Sequence, residues 1–148
     1  MPIASCLVDT NILLRAARRS DPQYEVVNVA LAKLVLDATI LHYTSQNIAE
    51  LWNAMTRPAD KNGFGLTVAE AEREVRVIEA GMSLLSDSEA IYREWRRIIV
   101  RHAVTGVRVH DARLIAAMHV HGVKHILTFN VADFKRYEDI TVTHPRDL

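Results

Sequence analysis

The sequence predicts an α/β fold, a mainly parallel sheet of four to five strands covered by helices on both faces. Short apolar runs alternate along the chain with longer stretches of helical periodicity. The connections between runs are too long for hairpins, so successive strands are expected to lie parallel. The first run, Ile3 to Val8, is mostly apolar rather than alternating, the pattern of a strand buried on both faces.

In chain order, Pro2 and Asp9 bound that first strand, and Asp9-Thr-Asn11 supplies cap chemistry for a short apolar helix through Ile12, Leu13 and Leu14. Arg15, Arg18 and Arg19 leave this helix as a basic cluster. Asp21 and Pro22 suit the cap and first turn of a second helix, whose stripe Val27, Leu31, Leu34, Val35 runs to about Asp37. Ile40 to Tyr43 is a second strand. Ser45 opens a third helix, with Ile48, Leu51, Trp52 and Met55 facing inward. Thr56-Arg-Pro58 ends it, and Asn62-Gly-Phe-Gly65 is a turn-rich connector.

Thr67 and Glu70 have the spacing of a capping box and start a helix to about Ala80, stopped by Gly81. Met82 to Leu85 reads as a third strand. Ser86 and Glu89 repeat the capping-box spacing before a helix to about Arg101. Asp111 to Val120 is helical, with Gly122 past its end. His125 to Thr128 is a fourth strand, Ala132 to Phe134 a helical turn, and Thr141 to Thr143 an edge strand.

A chain of 148 residues is long enough to bury a full core, and 49% hydrophobic against 24% charged residues is the balance of a globular protein. Lys plus Arg equals Asp plus Glu, 18 against 18, so any nucleic-acid contact has to come from a local basic rim. Cys6 alone allows no internal disulfide and suits a reducing compartment. With no long apolar span and no signal-peptide pattern, a cytoplasmic protein without membrane contact is expected.

Four acids carry the chemistry. Asp9, Glu50, Asp111 and Asp133 each follow a strand's carboxyl end or lie in the adjoining loop or helix. Singly, three read as helix caps and Glu50 as a solvated helix residue sharing a polar edge with Gln46, Asn47 and Ala54. Asp111, however, leads the apolar stripe Leu114, Ile115, Met118, where a lone carboxylate is costly unless paired. In a parallel sheet the carboxyl ends share one edge, so the four can converge. Clustered carboxylates repel one another unless a cation neutralises them, and hard oxygen donors select Mg²⁺ or Mn²⁺. Such centres serve phosphoryl chemistry.

Four segments then resemble a known family in order: Leu7-Val-Asp-Thr-Asn-Ile-Leu13, Ser45-Gln-Asn-Ile-Ala-Glu-Leu-Trp52, His110-Asp-Ala-Arg-Leu-Ile-Ala-Ala117 and Ile126-Leu-Thr-Phe-Asn-Val-Ala-Asp-Phe134. They are similar to the motifs of PIN-domain ribonucleases and, within that family, of VapC-type toxins. The resemblance implies one PIN domain over residues 1–148, a three-layer α/β sandwich. It also implies a Mg²⁺-dependent endoribonuclease leaving a 5′-phosphate and a 3′-hydroxyl, a cognate antitoxin and a homodimer. Asp9, Glu50 and Asp111 fall on the three principal acidic positions, Asp9 and Asp111 being the leading direct ligands. The fourth falls on Asn130 or on Asp133, which leaves one or two metals open. Thr10, Asn11, Thr128 and Asn130 would orient ligands or substrate, and Arg15, Arg18 and Arg19 would contact RNA or antitoxin.

The histidines do not spell a zinc site, because His119 and His121 point to different sides of a helix. Arg93, Arg96, Arg97 and Arg101 form one basic helical face, solvated or used against RNA or an acidic partner. Trp52 and Trp95 read as core or interface anchors. A phosphatase of the haloacid-dehalogenase type would need an aspartate where Asn11 stands. A receiver-like signalling module would need a phosphoacceptor aspartate and a late lysine that the chain lacks. A PIN domain that processes ribosomal RNA, or serves as a scaffold, is separated from a toxin by whether an antitoxin gene lies beside it.

Overall fold

The structure, a computed structural model, describes residues 2–148. Its elements are β1 (Ser5–Val8), α1 (Thr10–Ala16), α2 (Tyr24–Leu36), β2 (Ile40–Thr44), α3 (Ser45–Thr56), α4 (Val68–Gly81), β3 (Ser83–Leu85), α5 (Glu89–Arg101), α6 (Arg108–His121), β4 (His125–Leu127), α7 (Val131–Phe134) and β5 (Thr141–Thr143). The strands form one sheet in the order β3-β2-β1-β4-β5, and every pairing is parallel. β1 is central. The chain moves outward from it first through β2 and β3, then on the other side through β4 and β5, so the order reverses between β1 and β4. Open α/β sheets bind ligands at such a switch, outside the carboxyl ends.

The alternation of side chains along each strand fills two cores. Cys6, Val8, Leu41, Tyr43 and Leu127 pack with α1 to α4. Leu7, Leu85 and Ile126 point the other way, into a core with α5, α6 and α7. Each large apolar side chain removed from water contributes roughly 1.5–3 kcal/mol, so both faces of β1 anchor the sheet. Trp52 and Trp95 are partly buried against these cores, and Trp95 Nε1 donates to the Val109 carbonyl at 2.8 Å, tying α5 to α6.

Local chemistry places most boundaries where the sequence puts them. Thr67 and Glu70 form the capping box of α4, and Gly122 leaves α6 with φ of 71°. Several strand and helix ends differ by a residue, and five of the differences have a visible cause. β1 begins at Ser5, not Ile3; Ser5, opposite Ile40, is the first residue in register with β2. α2 begins at Tyr24; the Asp21 carboxylate accepts from Gln23 N at 2.8 Å and closes a turn ahead of the helix. Gly81 is still the last residue of α4, and extended Met82 is what ends it. Ser88, not Ser86, caps α5 by accepting from Ile91 N. The start of α6 is at Arg108, behind Val107, which offers no side-chain cap.

Candidate active site

Asp9 is where β1 stops. Its N–H still donates to the Leu127 carbonyl (3.0 Å), which carries the β1–β4 pairing one residue past Val8. Its side chain then caps α1, accepting from Thr10 N at 2.8 Å through Oδ1 and from the Thr128 hydroxyl at 2.7 Å through Oδ2. Asn11 Nδ2 adds a longer contact to Oδ2, 3.4 Å. Asp9 is only 7% exposed. Burial pushes its carboxyl up to about 6; the hydrogen bonds from Thr128 and Thr10 oppose that rise, and the charges of Asp111 and Glu50 add to it.

A polar brace holds this turn from behind. Asn47 is fully buried, and its Nδ2 donates to Thr10 Oγ1 at 2.9 Å. Its Oδ1 accepts from Thr44 N at 2.9 Å and from Thr44 Oγ1 at 2.8 Å, while Asn47 N donates back to Thr44 Oγ1. Thr44 and Asn47 are thus the capping box of α3 and the link between β2 and α1. Sequence reasoning missed both, placing Asn47 on the polar edge. The signal was there: Asn47, Leu51 and Met55 recur at i, i+4 and i+8, and they are the buried residues of α3.

Glu50 does lie on an exposed edge of α3. Gln46 Nε2 donates both to Glu50 Oε1 and to the His110 carbonyl, each at 2.9 Å. This bridge sets Glu50 beside the first turn of α6, where Asp111 is found. Asp111 is the fourth residue of α6 and not its cap. Burial raises its carboxyl above the usual range, the Arg108 hydrogen bond lowers it, and the charges of Asp133 and Glu50 raise it again. Arg108 Nη1 lies 2.6 Å from Asp133 Oδ2 and 3.4 Å from Asp111 Oδ2, so α7 brings Asp133 to the same cluster.

Thr128 is fully buried, and its oxygen also accepts from Asn11 Nδ2 (3.2 Å) and Asn130 N (3.0 Å). Asn11 Oδ1 accepts from Phe129 N at 3.3 Å. Asn130 itself is exposed, and its side chain makes no hydrogen bond among the described residues. Of the two residues that could supply a fourth acidic position, only Asp133 is coupled to Asp111. Arg15 stacks on Phe129 with its guanidinium carbon 4.8 Å from the ring centre, at the rim of this cluster. Arg18 lies over Phe64 instead, and Arg19 is exposed.

The donor set is all hard oxygen, and the carboxyls of Asp9 and Asp111 are both raised, by burial first and by neighbouring acids in addition. Among the described residues, Arg108 is the one cation within ion-pair distance of any of the four acids. That excess of negative charge fits a divalent cation of the Mg²⁺ class. Among the described residues, no three His, Cys, Asp or Glu side chains already converge on a point, so ligation calls for side-chain rotation. The histidines form no rival centre. His119 presents Nδ1 to Glu94 at 2.8 Å and Nε2 to Asp139 at 2.7 Å, on opposite sides of the ring.

Solved structures share the fold. A Mycobacterium tuberculosis structure named VapC20, a sarcin–ricin-loop-cleaving toxin, matches with TM-score 0.70 at 14% identity, over 89% of this chain and 95% of that one. VapBC2 from Rickettsia felis, bound to a promoter DNA fragment, matches with TM-score 0.68 at 14% identity, over 95% and 98%. A toxin–antitoxin complex from Klebsiella pneumoniae matches with TM-score 0.67 at 17% identity, over 97% and 99%. Comparison of the sequence with curated proteins finds no match. The model of the PIN domain matches residues 6–140, nearly the whole chain, and the chain therefore belongs to the PIN-domain family.

Proposed function

We propose that the chain is the toxin of a VapBC-type toxin–antitoxin pair, an endoribonuclease that hydrolyses RNA phosphodiester bonds with Mg²⁺, or with Mn²⁺ in its place. One observation carries this reading. Asp9 is a buried carboxylate at the sheet's switch point, within the field of Asp111 and Glu50, and among the described residues its hydrogen-bond partners are all neutral. A buried charge left in that condition calls for a bound ion.

Asp9 and Asp111 would hold the cation directly, with Glu50 and Asp133 completing the acidic pocket. A divalent ion held there would supply charge to the scissile phosphate and acidify a water; hydrolysis of the phosphodiester by that water would leave a 5′-phosphate and a 3′-hydroxyl. The chain's own groups do the positioning. The Thr128 hydroxyl and Thr10 N–H fix both oxygens of Asp9, and Asn47 holds Thr10 in turn. Asn11 locks Thr128 and Phe129 to the same turn. Asn130 stands free at the mouth to orient RNA, and Arg15, Arg18 and Arg19 supply donors to the RNA backbone or to the antitoxin. Asn11 stands where a haloacid-dehalogenase phosphatase needs its second aspartate.

An apolar groove supports a protein partner. Leu13, Leu31, Val35, Val77, Ile78 and Met82 line a cavity of about 400 Å³ between α2 and α4. Val35 and Val77 on its walls are 60% and 70% exposed, which suits the apolar face of an antitoxin segment. No helix among the described residues is long and apolar enough to cross a membrane. The reading places the protein in the cytoplasm as a homodimer, which light scattering checks.

Sequencing of RNA ends after induced expression tests the function. New 5′-phosphate ends should recur at a defined motif with the wild type and be missing with Asp9→Asn. The same ends in both cultures would remove the chain as their source.

A further inference from the structure

The acidic cluster is divided. Asp9 and Glu50 meet only neutral partners among the described residues, whereas Asp133 and one oxygen of Asp111 share a single guanidinium nitrogen, Arg108 Nη1. That nitrogen bridges two carboxylates carried on different helices, the position a divalent ion takes between acids. Arg108 is also in an unfavourable place for a cation. It is the first residue of α6, at the positive end of the helix, behind a residue that offers no side-chain cap. Its pairing with Asp133 and Asp111 is what compensates.

We propose that Arg108 is a resident counter-cation that takes the place of a second metal ion, so that the site binds one divalent ion, in the half formed by Asp9, Glu50 and the free oxygen of Asp111. The inference rests on the metal-dependent nuclease reading and deepens it. Two ions and one guanidinium would compete for the same carboxylate oxygens, and Arg108 is tethered, so its effective concentration at Asp133 is high. Asp133 therefore contributes by holding Arg108 over Asp111. The exposed edge of the guanidinium is left to face the phosphate backbone, work that a second ion does in two-metal centres.

Mn²⁺ binding separates the possibilities without any need for turnover. Wild type, Arg108→Gln, Arg108→Lys and the double variant Arg108→Gln/Asp133→Asn are titrated with MnCl₂ by calorimetry and electron paramagnetic resonance, after circular dichroism has verified folding. Wild type should bind one Mn²⁺ per chain. Arg108→Gln should bind two, with the exchange-broadened spectrum of a neighbouring pair. Arg108→Lys should stay at one, because the charge is retained, and the double variant should return to one, because the second ion has lost Asp133. Two ions in wild type, or one in Arg108→Gln, would overturn the proposal while leaving the metal-dependent nuclease standing. No Mn²⁺ bound by any of the proteins would overturn the metal site itself and this inference with it.

Discussion

Asp9 combines three duties in one carboxylate: cap of α1, acceptor for Thr128, and metal ligand in the proposed reaction. The first two hold it in place and the third makes it costly to bury. With its pKa near 6 in the folded metal-free protein, against roughly 3.9 unfolded, the folded state holds a proton that the unfolded chain releases. The associated stability is present below the unfolded value and is lost as pH rises through about 6, at most about 3 kcal/mol. In EDTA the melting temperature should therefore fall between pH 4.5 and 7.5. Asp9→Asn, which keeps the cap acceptor but cannot ionise, should flatten that slope and melt above wild type at pH 7.5. A wild-type melting temperature that rises across this window would show that Asp9 is compensated by something else. The acids themselves were legible in the sequence only as a set: each alone reads as a cap or a solvated residue, but all four follow strands whose carboxyl ends share one edge. The brace was not. A buried Asn47 looks like any polar helix residue until β2 and α1 are seen to meet across it.

At the scale of elements, the sequence pattern located the α-helices and strands of the described residues, while cap chemistry located their ends less evenly. Thr67 with Glu70 was unambiguous. In Ser86-Asp-Ser88 two serines lie within a turn of each other, and it is the inward commitment of Leu85 and Ile91 that selects Ser88. Nothing local announces α6 at Arg108, since Val107 offers no cap. Hence Asp111 looked like a helix start, when it is a first-turn residue held beside Asp133 by Arg108. The faces of α2 and α4 that are left uncovered make their own prediction. Val77 is 70% exposed on the groove wall. Val77→Glu should change stability by no more than about 0.5 kcal/mol in urea unfolding, as surface substitutions do. The same change should leave RNA cleavage intact and abolish co-purification with the product of a neighbouring short gene. Retained co-purification would move the antitoxin to another face.

The whole molecule is organised by the reversal of strand order at β1. Because β2 and β3 lie on one side and β4 and β5 on the other, Asp9 sits at the crevice between β1 and β4. Glu50 approaches it from the helix after β2 and Asp111 from the helix pair that crosses between β3 and β4, while Asp133, on the helix after β4, joins Asp111 through Arg108. Residues separated by more than a hundred positions, such as Asp9 and Thr128, meet at 2.7 Å because the paired parallel strands β1 and β4 end on the same side. This convergence could be expected from alternating strands and helices. The order of the strands, and so which acids face each other, could not, since periodicity carries no information about neighbours. The central claim is that these convergent acids cut RNA with a divalent ion. Its most direct measurement is cleavage of RNA by the purified protein in Mg²⁺, in EDTA, and by Asp9→Asn and Asp111→Asn with circular dichroism unchanged. Cleavage in Mg²⁺ only, and a loss of at least about a hundredfold in each variant, is the predicted result. Full cleavage in EDTA, or by either variant, would contradict it.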